Sequence, residues 1–185
     1  KKYPELFSSA GGHKASQKNY GRAFIDDDTP TPEHAKFQWS RLAKLVFVAI
    51  GLWLLPILAL GSYFGWHHSY TQMAWFFTKA ALLTFGGAYA VLPYVYQGAV
   101  NNFGWLSPTQ MIDGLALGET TPGPLIMVVA FVGFLGGVNH ALFGPEHLFF
   151  AGALGAVIVT WFTFLFSFLF IFAGAPIIES THNEI

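Results

Sequence analysis

A chain of 185 residues that is 54% hydrophobic and only 10% charged falls far below the roughly 25% of charged residues that solvate an ordinary soluble domain. Its formal net charge of -1 and its lack of cysteine give no footing for nucleic-acid binding and remove disulfide, thiolate-metal and thiol-nucleophile chemistry. The charge is also segregated. Eight of the nine Lys and Arg fall in the first 44 residues, and between residues 45 and 178 the only formally charged side chains are Lys79, Asp113, Glu119 and Glu146, a pattern that a bilayer demands and a water-facing surface does not tolerate.

Residues 1–41 read as a hydrophilic, mostly irregular linker, with Gly11-Gly12, the acidic run Asp26-Asp27-Asp28 and Thr29-Pro30-Thr31-Pro32, none of which builds a core. A short helix entering from Pro32 with Thr31 as its cap is compatible with this sequence. The chain starts with Lys and its first forty residues lack a signal peptide's apolar centre, so it reads as a piece of a longer protein. Lys36, Arg41 and Lys44 flank the first apolar segment, while the loops at 101–110 and 138–147 carry no Lys or Arg; by the positive-inside bias the linker is expected in the cytoplasm.

Residues 42–64 form the first predicted span, about 34 Å long at 1.5 Å per residue. Pro56 is expected to kink it, with Trp53, Tyr63 and Trp66 marking depth. Residues 73–100 are apolar enough to cross, but Gly86-Gly87 divides them and Pro93 interrupts the second piece. Residues 111–137 are divided in the same way by Thr120-Thr121-Pro122-Gly123-Pro124. Pieces of thirteen residues reach only about 20 Å, short of a core about 30 Å thick. Each segment is therefore a discontinuous helix or a re-entrant hairpin, whose freed backbone must face protein or a wet cavity. Residues 148–173 are a last, charge-free span. The predicted fold is an all-α polytopic transmembrane bundle with two Gly/Pro-interrupted helices, occupying 42–185 and incomplete at its C-terminus.

Three blocks fall in order: Phe85-Gly86-Gly87-Ala88-Tyr89-Ala90-Val91-Leu92-Pro93, then Gly104-Trp105-Leu106-Ser107, then Asp113-Gly114-Leu115-Ala116-Leu117-Gly118-Glu119-Thr120-Thr121-Pro122-Gly123-Pro124-Leu125, followed by Phe131-Val132-Gly133-Phe134. Together they resemble the chromate transporter family, and the Glu-Thr-Thr-Pro-Gly-Pro form is similar to the C-terminal half of its two-half members. The resemblance implies a multi-pass inner-membrane exporter of chromate or a similar oxyanion. It also implies a homologous N-terminal half as partner, residues 1–40 as the loop between halves, and a further span beyond Ile185.

A tetrahedral dianion needs directed N–H donors and positive potential, which helix N-termini supply. Half-helices starting near Ala88, after Gly86-Gly87, and near Leu125, after Gly123, would offer both. Thr120 and Thr121 add hydroxyls, and glycine allows close backbone approach. The competing reading is of kinks and close-packing glycines in an ordinary membrane bundle. Lys79, the one cation in this region, reads either as charge lent to the anion path or as a snorkelling end-of-segment lysine. Glu119 is a candidate proton acceptor or a partner for Lys79. Asp113 is a second candidate, or a first-turn acid favoured by the helix dipole. Trp105 and the tyrosines Tyr89, Tyr94 and Tyr96 read as interface belt and packing. No His-Glu-x-x-His spacing or protease-like carboxylate pair occurs, so no metal, cofactor or catalytic residue is expected.

Overall fold

A computed structural model describes residues 38–83, 88–121 and 123–182; the linker, with its Thr31-Pro32 helix start, and Gly86-Gly87 lie outside the described residues. Every regular element among the described residues is helical. They are α1 (Trp39–Tyr63), α2 (Ser69–Leu83), α3 (Ala88–Tyr96) running into a π-helical turn (Gln97–Asn102), α4 (Pro108–Glu119), α5 (Pro124–Asn139), a 3-10 turn (Pro145–His147) and α6 (Leu148–His182).

Two stretches, Trp39–Tyr63 and Pro145–Pro176, are long and apolar enough to cross a membrane, and only 17% and 22% of their most apolar windows are buried. Each leaves much of its apolar surface exposed outside one packed stripe, unlike the mostly buried core helix of a soluble protein. Prolines do not end either of them. Pro56 lies inside α1, and α6 runs past the expected end at residue 173 through Pro176.

The shorter helices supply most of the packed interior. α2 buries Tyr70, Met73, Ala74, Phe77 and Ala81, and α5 buries Val128, Val129 and Val132. α5 and α6 form the most extensive pairing, followed by α2 with α6 and α4 with α5. The α5–α6 seam is built from small residues: a Cβ added at Gly133, Gly137 or Gly155 would land on a backbone carbonyl of the facing helix. Backbones can approach that closely only where side chains are missing, the usual route to tight helix pairing in a bilayer. The buried Tyr70 hydroxyl donates to Ala151 O (2.8 Å) and fixes α2 to the start of α6.

Trp105 is fully buried. It stacks on Phe103 (ring centroids 4.5 Å) and meets Phe76 edge-on (5.6 Å), so it belongs to the core and not to an interface belt. Trp53, expected to mark depth, is tied into the helix packing. Its Nε1 donates to Thr78 Oγ1 (3.0 Å) halfway along α1, whereas Tyr63 and Trp66 remain exposed at the end of that helix.

Candidate functional site

α2 and α3 lie antiparallel, with Tyr94 stacked on Phe76 (4.8 Å) and Gly98 seated against the same ring. α4 and α5 do likewise, with Gly114 against Phe131. Their open ends are tied by Asn139, whose Nδ2 donates to Trp105 O and to Gln110 Oε1 (both 2.9 Å). α3 also packs on α5. Met73 and Trp105 both meet Gly136, which sets a common level for the two hairpins. From it, α2 continues ten residues to Leu83 and α5 extends back twelve residues to Pro124, about 15 and 18 Å along the helices. Hence α3 and α5 both begin at nearly one depth, run the same way and touch.

At the start of α5, Gly123 holds a left-handed conformation (φ 86°), which costs an L-residue with a Cβ about 1–2 kcal/mol. It provides no side-chain cap, and Pro124 occupies the first turn. Pro124 has no N–H and Met127 N–H takes the first helical bond, to Gly123, so the N–H groups of Leu125 and Ile126 are the donors that the first turn leaves without helical partners. α4 starts differently. Ser107 and Gln110 form a reciprocal capping box there, with Gln110 N–H to Ser107 Oγ at 3.2 Å. One of these helix starts is closed by its own sequence and the other is left open.

The structure sorts the expected site residues into two groups. Thr120, Thr121 and Gly123 lie together between α4 and α5, next to Glu119, the exposed last residue of α4. Both hydroxyls are engaged: Thr120 Oγ1 donates to Leu117 O (2.9 Å), and Thr121 Oγ1 lies within 3.1 Å of Leu117 O and 3.2 Å of Gly118 O. Ala88 is the first residue of α3.

Lys79 stands apart from this group. It lines a cavity of about 390 Å³ with Gln72, Trp75 and Phe103 and a second of about 440 Å³ with Ala49, Trp53 and Leu165; neither includes a residue of the α4–α5 turn. Among the described residues no ion pair joins Lys79 to Glu119 or Asp113. The first-turn reading of Asp113 is corrected. α4 begins at Pro108, its first turn contains no acid, and Asp113 sits in the second turn, exposed.

Sequence reasoning missed the Asn139 clasp and the facing glycines of α5 and α6. A lone Asn closing an apolar run was a signal for the first, but the second requires knowing which helix faces which. Among the described residues no group of three or more His, Asp or Glu is placed to hold a metal ion.

Residues 71–185 match the sequence profile of a family described as "Chromate transporter". The chain is 34% identical over 106 residues to a chromate transport protein of Cupriavidus metallidurans, an alignment covering 57% of the chain and 23% of the relative. It is 42% identical over 92 residues to a chromate transport protein of Pseudomonas aeruginosa, covering 50% and 18%. A probable chromate transport protein of Synechococcus elongatus is 44% identical over 64 residues, covering 35% and 16%. The chain therefore spans less than a quarter of the length of these curated relatives. No solved structure matches it.

Proposed function

The chain belongs to the chromate transporter family, a family of membrane-embedded transporters and not enzymes, and from that membership we propose that it forms part of a carrier exporting chromate or a similar tetrahedral oxyanion across the bacterial inner membrane. One observation carries the reading beyond the family: α3 and α5 start at one depth, point the same way and lie in contact. Two parallel half-helices present their N–H groups and positive dipole ends to the same region, a combination that suits a dianion without a full cation. Interrupted helices within the bilayer are also a pointer to a transporter's binding site.

In this reading the chain is a polytopic bundle in which α1 and α6 cross the bilayer. α2–α3 and α4–α5 are re-entrant or broken segments, and residues 1–41 lie in the cytoplasm. The substrate meets the backbone at Gly86, Gly87 and Ala88 and at Gly123, with the hydroxyls of Thr120 and Thr121 turning from α4 to the anion. Glu119, beside this site, is the candidate for proton exchange. A homologous half supplies the opposite wall, and the two alternate access between the membrane faces. The membrane potential favours export. At about 2.3 kcal/mol per charge per 100 mV, a dianion leaving a negative interior gains about twice that.

The test is uptake of labelled chromate into inverted membrane vesicles that contain the full-length protein, with sulfate as competitor. Accumulation that rises with an inside-positive potential and exceeds that of protein-free vesicles is expected. Uptake no greater than in those controls would overturn the reading. Residues 1–185 alone are expected to insert yet give no efflux; robust efflux by this piece as a monomer would sink the two-half arrangement.

A further inference from the structure

Lys79 and Asp113 are opposite charges on exposed faces of different helices, and the hydrogen bonds between helices fix how deep each one lies. Trp53 donates to Thr78, next to Lys79, and Trp161 Nε1 donates to Leu52 O (3.2 Å). Trp53 falls halfway between Lys44 and Tyr63, and Trp161 halfway between Pro145 and Pro176. The level of Lys79 is therefore the middle of both spanning helices, about 15 Å from either edge of a 30 Å core. The four-carbon stem of a lysine covers well under half that distance, so Lys79 does not snorkel.

The depth of Asp113 follows from the common level at Gly136. Lys79 is six residues beyond Met73, about 9 Å along α2. Asp113 precedes Gly114, which packs on Phe131, five residues back from Gly136; this puts it about 6 Å below that level. The two charges thus differ in depth by less than one helical turn.

Each charge stands on an apolar exposed face. Trp75, Leu82 and Leu83 flank Lys79, and Ile112, Ala116 and Leu117 flank Asp113. Lipid on either face would leave a mid-membrane charge unsatisfied, at about 2.5–3.5 kcal/mol each on the insertion scale. Within one chain the two do not meet. Copies inserted in the same orientation share one depth scale, so each charge on one copy lies at the level of the opposite charge on another.

We propose that the Lys79 face of α2 is an interface with a second copy of this chain, whose α4 presents Asp113 to Lys79 within the membrane. The contact uses no residue of the α4–α5 turn and stands independently of the anion site; it requires only that α1 and α6 cross the bilayer. Around Asp113 the occupant presents the apolar side chains of Ile112, Ala116 and Leu117, which complement the apolar lining of the cavities around Lys79.

Because the chain contains no cysteine, introduced thiols report without background. Membranes holding Lys79→Cys copies mixed with differently tagged Asp113→Cys copies are expected to give a cross-linked pair on oxidation. Lys79→Cys mixed with Val157→Cys, on an exposed face of α6, is expected to give none. Energy transfer between labelled copies in vesicles provides the second measurement. Lys79→Asp or Asp113→Lys alone should cut association about tenfold, and both together should restore it, as expected for a desolvated charge pair. Lys79→Gln and Asp113→Asn repeat the loss without introducing repulsion. Copies that show no energy transfer, that cross-link equally at Val157, or that associate undiminished after either single reversal would overturn the proposal.

Discussion

Two kinds of helix stand side by side in this chain and play different parts. α1 and α6 are long and leave most of their apolar surface outside. α2 to α5 are short and supply most of the packed core, and Lys79, Asp113 and Glu119 lie on exposed faces of α2 and α4. α3 and α5 are as apolar as the long helices, so hydrophobicity alone does not decide the role; length and interruption do. A continuous helix satisfies its backbone by itself and can face lipid. An interrupted one frees N–H and C=O groups that only protein or a ligand can take up. The long helices accordingly make a frame, and the short ones make the place where chemistry can happen.

The comparison breaks most readily at the α5–α6 seam. Gly155→Leu would drive a side chain into the Gly133 carbonyl, a clash with backbone that no rotamer avoids. A loss of about 3 kcal/mol or more is expected, read as loss of monodisperse protein in detergent. Gly123→Val should separate site from frame. Nothing lies within 4 Å of its Cβ, but its φ of 86° disfavours a β-branched residue, so stability should fall by about 1–2 kcal/mol while chromate uptake falls to background. Thr121→Val keeps the volume and removes the hydroxyl; a several-fold loss of uptake with an unchanged melting temperature is expected. Wild-type uptake in both variants would move the site away from the α4–α5 turn.

Smaller effects sharpen the contrast. Glu119→Gln should flatten the pH dependence of uptake more than it changes the chromate concentration for half-maximal rate. At the loop between α1 and α2, His68 stacks on Phe64 (4.8 Å) and its Nδ1 accepts the Tyr70 N–H (3.4 Å). Burial, then the nearby His140, lower its pKa below the ordinary 6.5. A base with a depressed folded pKa stabilises the fold fully above its unfolded value and loses that contribution as pH falls. Thermal stability should therefore decline modestly below about pH 6.5, and His68→Phe should reduce that slope. At the far end of the scale, Leu55→Ala on the exposed side of α1 should shift stability by no more than about 0.5 kcal/mol, measured as a melting temperature in the same detergent.

The sequence made the frame legible because a bilayer writes it in lengths and breaks. The first span was expected at residues 42–64 and is Trp39–Tyr63; a half-helix was expected near Leu125 and begins at Pro124. Glycine, proline and the supply of charge are local signals, and local signals place ends well. Facing and depth were not legible. A helix with apolar residues on several sides gives no clear stripe from which to read its inner face, and Asp113 looked like a first-turn acid although it sits in the second turn of α4, on an exposed face. For Trp105, read as belt and packing, the packing half held and the belt half did not, for a related reason. An aromatic near the end of an apolar run suits an interface and a core equally well until its neighbours, here Phe76 and Phe103, are known.

The threonine hydroxyls at the end of α4 have one further consequence. Each carries a single proton, and each proton is already given to a carbonyl of the helix that ends there. An anion that takes these protons takes them from α4, uncapping its last turn at a net cost of about 0.5–1.5 kcal/mol per bond. Occupancy of the site and order at the end of α4 are thus competing claims on the same two hydrogens. Glu119 stands on that same turn, as the exposed last residue of α4.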